Sequence, residues 1–419
     1  MAEPQSQSRG LVLGPRALVR AAVLLAVMLG LGWLCLAQGL TGHFLATREV
    51  APALSWAPND GQALSLKAET LSGRGEFSRA AATARRALQA DPSDVSALRV
   101  LGNAEAVTGD RARARIYFRR GAALSRRDTP TQYWLFADAA GQGDFKAAMR
   151  SADSIMRRTE SGMQAVGPAV AGLMGDPRAV EALVDRMALA PDWRPKLMSR
   201  MGAYASVDGF RQLLFEMKAR GLAPTDPEVG DYVNRVMKIG EFAQARADWF
   251  SLVSTKPPTT GQWVYDPGFD GLRGPPPFNW QLFQDPGVTA TLEAGPTGGE
   301  LVLRYDGFDP HSGMVRQTLA LPPGRYRLTG RVRVNEDGAD GLYQWLVRCI
   351  EGRPLALGEP IDTEKGQWAR FHVDFDVDEA CAAQSLYLNA RGGDRRLSLE
   401  TSFDDIEVRQ APVGVGGPS

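Results

Sequence analysis

The sequence predicts a multidomain chain: one N-terminal membrane-spanning helix, an all-α region of stacked helical hairpins, and a C-terminal all-β sandwich. Three observations carry this. Ala21 to Ala37 is free of charge. The stretches "GEFSRA" from Gly75, "GDRARA" from Gly109 and "GDFKAA" from Gly143 recur at intervals of 34 residues. Beyond residue 262 the apolar pattern changes from helical spacing to alternation. A chain of 419 residues has room for two or three domains.

The first element is the apolar run from Arg16 to Leu40. About 20 apolar residues cross the hydrocarbon core of a bilayer as a helix. Arg9, Arg16 and Arg20 precede the run with one acid, Glu3. Positive residues stay on the cytoplasmic side, which leaves the N-terminus inside and the bulk of the chain periplasmic. A cleaved signal peptide is the alternative, but "CLAQG" is a poor cleavage site and Leu34 before Cys35 is wrong for a lipoprotein box. Residues 1–15 and 411–419 read as disordered tails flanking this single-pass inner-membrane protein.

Lys+Arg and Asp+Glu both number 48, which argues against nucleic-acid binding. Of the basic residues 41 are Arg and 7 are Lys, a bias of composition that is no evidence of phosphate binding. The cysteines are Cys35, Cys349 and Cys381, and the three histidines are scattered, so a zinc site is not expected. With Cys35 in the membrane, Cys349 and Cys381 remain as a pair in a compartment that permits disulfides. A bond between them is expected, the alternative being two buried thiols.

Residues 61–253 form the helical region. Gly75, Gly109 and Gly143 fall where the chain must turn between two helices, and Ala80, Ala114 and Ala148 fall where the helices must approach closely. Pro92 in "ADPSD" is expected in the first turn of the next helix. Leu64 and Leu98 supply the large residue of the first helix in two units, displaced to Tyr133 and Trp134 in the third. This pattern resembles the tetratricopeptide repeat. Gly240 in "GEFAQA" repeats the turn signature out of register, after less regular helical segments. The resemblance implies a solenoid that binds a partner protein. No cofactor box is present.

"STKPPTTG" at 254–261 reads as a linker, and residues 262–410 as the sandwich, with about eight strands separated by turns such as "LPPG" and "RGGD". "DPGFD" (266–270), "PFNW" (277–280), "MVRQTLALPPGRYRLTGRVRV", "GQWARFHVDFDV" and the closing "SFDDIEV" together resemble the galactose-binding-like jelly rolls, the fold of many carbohydrate-binding modules. The resemblance makes Phe278 and Trp280 anchors of the opening segment, with ligand stacking as the other role open to Trp280. It also implies a structural calcium held by Asp270, Asp404 and Asp405. The chain departs from the family pattern at Asp266, where many members have Asn, and at Asp270, where many have Glu.

Alternation sorts the strand faces. In 325–334, Tyr326, Leu328, Val332 and Val334 are expected inward, leaving Arg325, Arg327, Arg331 and Arg333 outward. In 342–351, Leu342, Leu346 and Ile350 are expected inward, leaving Tyr343, Trp345 and Cys349 outward. In 385–390, Leu386 and Leu388 are inward, leaving Tyr387 and Asn389. If the outward sides share one sheet, it displays the aromatics, arginines and amide that recognise sugars. The alternative is a solvated face whose arginines pair with Asp374 and Glu351.

No nucleophile elbow, P-loop, HExxH or dinucleotide fingerprint occurs, so no enzyme is expected. The reading is a non-enzymatic, membrane-anchored envelope protein. Its repeats bind a protein partner and its jelly roll binds glycan, in assembly or export of a cell-surface polysaccharide. The alternatives are a protein-assembly scaffold that binds no sugar and, more weakly, a glycan-modifying enzyme.

Overall fold

The structure is a computed structural model describing residues 15–253, 261–296, 298–336, 342–361 and 363–411. The tails expected at 1–15 and 411–419 and the linker expected at 254–261 lie almost wholly outside the described residues. The chain forms two compact units, Met1–Val166 and Gly167–Ser419.

In the first unit α1 (Pro15–Ala46) precedes α2 (Val50–Trp56). Within α1, Val19–Ala46 is long and apolar enough to cross a membrane or to be a signal sequence. Three helical hairpins follow: α3 (Gly61–Gly73) with α4 (Phe77–Ala90), α5 (Val95–Thr108) with α6 (Arg111–Leu124), and α7 (Thr129–Gly141) with α8 (Phe145–Met156). Gly75, Gly109 and Gly143 sit in the connecting turns at φ +78°, +93° and +72°, where a side chain would be strained. Ala80, Ala114 and Ala148 are fully buried where the helices meet.

A second 34-residue series runs beneath the first. Asp60, Asp94 and Asp128 each cap a first helix, accepting from the backbone N–H of Ala63, Ala97 and Thr131 at 2.8, 2.9 and 3.2 Å. Pro92 is therefore not in the first turn of α5; it lies in the turn before Asp94, because the carboxylate rather than the ring starts the helix. Leu64 and Leu98 are buried as expected, and Trp134 stacks on Phe118 at 4.2 Å.

The chain enters its second unit through α9 (Glu160–Gly172) and continues with a 3₁₀ turn (Leu173–Gly175), α10 (Pro177–Met187), α11 (Arg194–Tyr204), α12 (Val207–Ala219), α13 (Asp226–Lys238) and α14 (Phe242–Val253). Gly240, at φ +88°, turns α13 into α14. The Asp248 carboxylate of α14 is 3% exposed. It accepts two bonds from Arg211 at 2.8 Å, one from Gln244 at 2.8 Å and one from the Tyr232 hydroxyl at 2.5 Å.

The sandwich consists of β1 (Gln281–Leu282), β2 (Gln284–Asp285), β3 (Val288–Ala294), β4 (Gly299–Tyr305), β5 (His311–Leu319), β6 (Gly324–Val334), β7 (Tyr343–Cys349), β8 (Pro354–Leu357), β9 (Trp368–Val377), β10 (Gln384–Ala390) and β11 (Leu399–Gln410). One antiparallel sheet has the order β1-β5-β10-β7-β8, the other β2-β3-β4-β11-β6-β9. Their inner faces enclose a core that includes Leu303, Val315, Leu328, Val347, Leu388 and Phe403. Alternation in the sequence predicts the last strand over 404–409, "DDIEVR", but β11 starts five residues earlier, at Leu399. A bulge between Asp404 and Glu407, with Asp405 at φ +53°, breaks its alternation and hides the first half from a period-two reading.

The sequence separates helices from strands near residue 254, but α10–α14 and the sandwich share one compact unit. The opening segment of the sandwich closes on α14. Trp249 donates from Nε1 to the Pro275 carbonyl at 2.9 Å, and its ring meets Tyr265 edge-on at 4.7 Å and Phe278 at 6.1 Å. Gly274 has φ +143°, and a Cβ there would stand 2.6 Å from the Trp249 ring. Arg246 lies over both Phe250 and Trp263, at 4.6 and 5.1 Å, and donates to the Gln262 and Trp263 carbonyls. Burial pushes its pKa down to about 10. Pro275 thus belongs to the segment that docks on α14.

Cys349 and Cys381 are bonded across a separation of 32 residues. Closing a loop of that size in the unfolded chain is worth about 3–4 kcal/mol in the chain-entropy model. Cys381→Ser, or reduction of the native protein, is expected to lower the unfolding free energy by about that amount, measured by denaturant titration with and without reductant.

Candidate functional site

The sandwich has two outer faces, and the expected site residues are divided between them and the core. β7 is inverted relative to expectation. Tyr343, Trp345, Val347 and Cys349 face inward, while Leu346 is half-buried and Ile350 is 42% exposed. The pairing of Trp345 with Leu388 and of Val347 with Leu386 forces this, because directly opposed residues share a side. Tyr343 and Trp345 are therefore core residues; each is 1% exposed. Trp280 is in the core as well, with its ring 5.0 Å from Phe269 and its Nε1 donating to the Asp266 carbonyl at 2.8 Å. None of these three rings is open to a sugar.

Arg331 and Arg333 lie on the outer face of the six-stranded sheet, opposite to Tyr387 and Asn389. Here almost every arginine has a carboxylate. Arg327 makes a two-pronged pair with Asp374 at 2.6 and 2.7 Å, and Arg333 reaches Glu300 at 2.7 Å. Arg331 binds Asp404, and Asp405 at 2.7 Å. Trp368 stacks beneath Arg331 and Arg333 at 5.1 and 4.8 Å. Arg327 and Asp374 pair as the solvated-face alternative supposes, whereas Glu351 sits beside Arg353 instead.

The same contacts bear on calcium. Asp404 and Asp405 share the Arg331 guanidinium, and Asp270 accepts from the Gly299 N–H at 3.0 Å. Burial is the largest influence on Asp404 and raises its pKa. Among the described residues these three carboxylates do not converge within metal-ligand reach; Cys349, Glu351 and Cys381 do, but the two sulfurs are bonded to each other. The Arg331 guanidinium engages two of the three carboxylates, and a backbone N–H engages the third. Asp266 is buried, and its carboxylate holds the opening turn by accepting from the N–H groups of Asp270, Gly271 and Leu272.

The outer face of the five-stranded sheet is different. Register aligns Gln281, Arg316, Tyr387, Leu346 and Leu357 in one row across all five strands. A second row holds Thr318, Ser385 and Arg348, and Asn389 pairs with Gln344 in a third. Arg348 lies over the Tyr387 ring at 4.4 Å and donates to its hydroxyl at 2.9 Å. Arg316 lies over Phe283 at 4.6 Å and donates to Gln281 Oε1 at 2.7 Å. The Asn389 side-chain oxygen accepts from Ser312 Oγ and Gly313 N, tying β10 to β5. Gly313 has φ +71°, and a Cβ there would stand 3.0 Å from the Tyr387 ring.

Two hollows flank Arg316 and Tyr387. One, of about 220 Å³, is lined by Phe283, Asp285, His311, Ser312, Arg316, Arg348 and Tyr387 among others. The other, of about 200 Å³, is lined by Gln281, Arg316, Ser385, Tyr387 and Ile350 among others. Burial works against ionisation of Tyr387, but hydrogen bonds from Ser385 and Arg348 and the charges of Arg348 and Arg316 outweigh it and hold the phenol below its ordinary pKa.

Of the residues expected to bind sugar, this face brings together Tyr387 and Asn389. Sequence reasoning missed Gln281, Phe283, Arg316, Gln344 and Arg348. A signal for the last two was present: reading β7 inward from Cys349 leaves Gln344, Leu346 and Arg348 outside.

Fold and faces together define the class: tetratricopeptide-like helical hairpins followed by a jelly-roll sandwich. No family model matches the chain, and no curated protein matches it. Among solved structures, TmCBM61 in complex with β-1,4-galactotriose shares 14% identity over 36% of this chain and 99% of its own, with a TM-score of 0.27. The CBM22-1 xylan-binding domain of Paenibacillus barcinonensis Xyn10C shares 13% over 38% of this chain and all of its own, with a TM-score of 0.27. YrrB, a TPR protein with an unusual peptide-binding site, shares 14% over 47% of this chain and 97% of its own, with a TM-score of 0.29.

Proposed function

We propose that this is a non-catalytic envelope protein that binds glycan on the outer face of its five-stranded sheet and a partner protein through its helical hairpins. α1 anchors it in the inner membrane with the bulk of the chain in the periplasm, and its setting is the assembly or export of a cell-surface polysaccharide. The observation that carries the reading is the row through Gln281, Arg316 and Tyr387, with a hollow on either side. Planar polar groups beside aromatic rings suit sugar hydroxyls and CH faces. The larger hollow is lined by one carboxylate, Asp285, where hydrolysis by paired carboxyl groups uses two.

A scaffold that binds no sugar is the second reading. Leu357 and Ile350, 58% and 42% exposed at the margin of the same face, favour it.

The test uses the full chain in detergent, because the sandwich closes on α14. Binding to immobilised neutral and acidic polysaccharides is measured by interferometry, with Tyr387→Ala alongside. The variant is expected to bind at least about tenfold more weakly while its unfolding temperature stays near that of the parent, since the ring lies outside the core. Retention by no polysaccharide would move the assignment to the scaffold.

A further inference from the structure

Arg316 and Arg348 break this chain's own habit. On the opposite face Arg304, Arg327, Arg331 and Arg333 each bind a carboxylate. Among the described residues, Arg316 and Arg348 have no carboxylate within ion-pair distance. Their protein partners are neutral: the Gln281 amide oxygen and Phe283 ring for one, the Tyr387 hydroxyl and ring for the other. Each bond uses one nitrogen, Nε of Arg316 and Nη2 of Arg348, so most donors of both forks remain open. Both arginines line the same hollow of about 220 Å³.

His311 lines it too. Its Nε2 is sealed from solvent, so the hollow does not present it to a ligand. The other ring nitrogen faces Asp285 at 3.9 Å, and that carboxylate is 65% exposed. Two fixed cations therefore meet one solvated acid.

Resting on the glycan-binding reading above, we infer that this hollow takes an acidic sugar residue, its carboxylate held between the Arg316 and Arg348 forks. Guanidinium pairs carboxylate in a planar, two-pronged geometry that a neutral sugar does not reproduce. The glycan read by this face is then a polyuronate rather than a neutral polymer.

The probe pair is oligogalacturonate and the same oligomer with its carboxyls methyl-esterified, so that ring shape is kept and only charge is removed. Binding to the full chain in detergent is measured by titration calorimetry at fixed ionic strength. The acid form is expected to bind at least about tenfold more tightly than the ester. Arg316→Gln and Arg348→Gln are each expected to remove most of that preference, and Arg327→Gln, on the opposite face, to leave it intact. Arg316→Lys separates charge from fork geometry and is expected to restore only part of the preference. Equal binding of acid and ester overturns this inference while leaving glycan binding standing. Binding of neither form, with retention on a neutral polysaccharide, also overturns the inference alone; retention on nothing overturns both. A preference equally sensitive to Arg327→Gln would mean attraction by overall charge and would overturn the assigned pocket.

Discussion

Trp249→Ala is expected to split the unfolding of the second unit into two transitions and to cost about 3–5 kcal/mol, as large-to-small changes of buried aromatics do. Trp249 is fully buried at the end of α14. It is the point where the helices hold the sandwich: its indole N–H meets the Pro275 carbonyl, and its ring meets Tyr265 and Phe278. Removing the ring leaves a cavity and an unpaired buried carbonyl at the same place. Differential scanning calorimetry of the full chain reads the outcome. Gly274→Ala approaches the contact from the other side, since its Cβ would stand 2.6 Å from the indole and its φ of +143° disfavours any side chain. A single, unshifted transition in both variants would show that the contact does not couple the sandwich to α14.

Asp248→Ala is expected to cost about 3 kcal/mol. It removes the shared acceptor of Arg211, Tyr232 and Gln244. Arg211 is 43% exposed and recovers much of its hydration, which keeps the loss below that of a fully buried broken pair. The Tyr232 hydroxyl is buried and recovers nothing. Burial opposes ionisation of Asp248, but the bonds from Arg211, Tyr232 and Gln244 outweigh it and hold its pKa below the ordinary carboxylate value of 3.8. A depressed folded-state pKa contributes stability that is present above the unfolded value and is lost as pH falls through the folded one. The parent should therefore lose stability below about pH 4 more steeply than Asp248→Ala, in urea titrations compared at pH 7 and pH 3. Parallel pH profiles would mean that the carboxylate gains nothing from its three donors.

The hairpins were legible because their signals are local. A glycine at φ +78° and an alanine in a helix–helix contact are demands of the backbone within one repeat, and both recur at 34 residues. The aspartate caps at 60, 94 and 128 are equally local, and Asp94 stands in the same "ADPSD" whose Pro92 is the expected helix start. Strand positions were legible from alternation; β8 and the two short opening strands carry too few residues to alternate. On β7 the period was right and its phase wrong. The leucines and isoleucine of β7 are less decisive than its tryptophan and tyrosine, which bury more apolar surface and share their parity with the cysteine bonded inside.

The sequence by itself determined the kinds of element, their order, the repeat period, the apolar helix and the pair of cysteines, because each depends on neighbours in the chain. Only the tertiary structure decided which sheet each strand joins. That choice puts the β6 arginines and Tyr387 on opposite sides of a core, pairs the former with carboxylates and leaves Arg316 and Arg348 without them. Charge compensation is set by distances between strands far apart in sequence, and no local period carries that information.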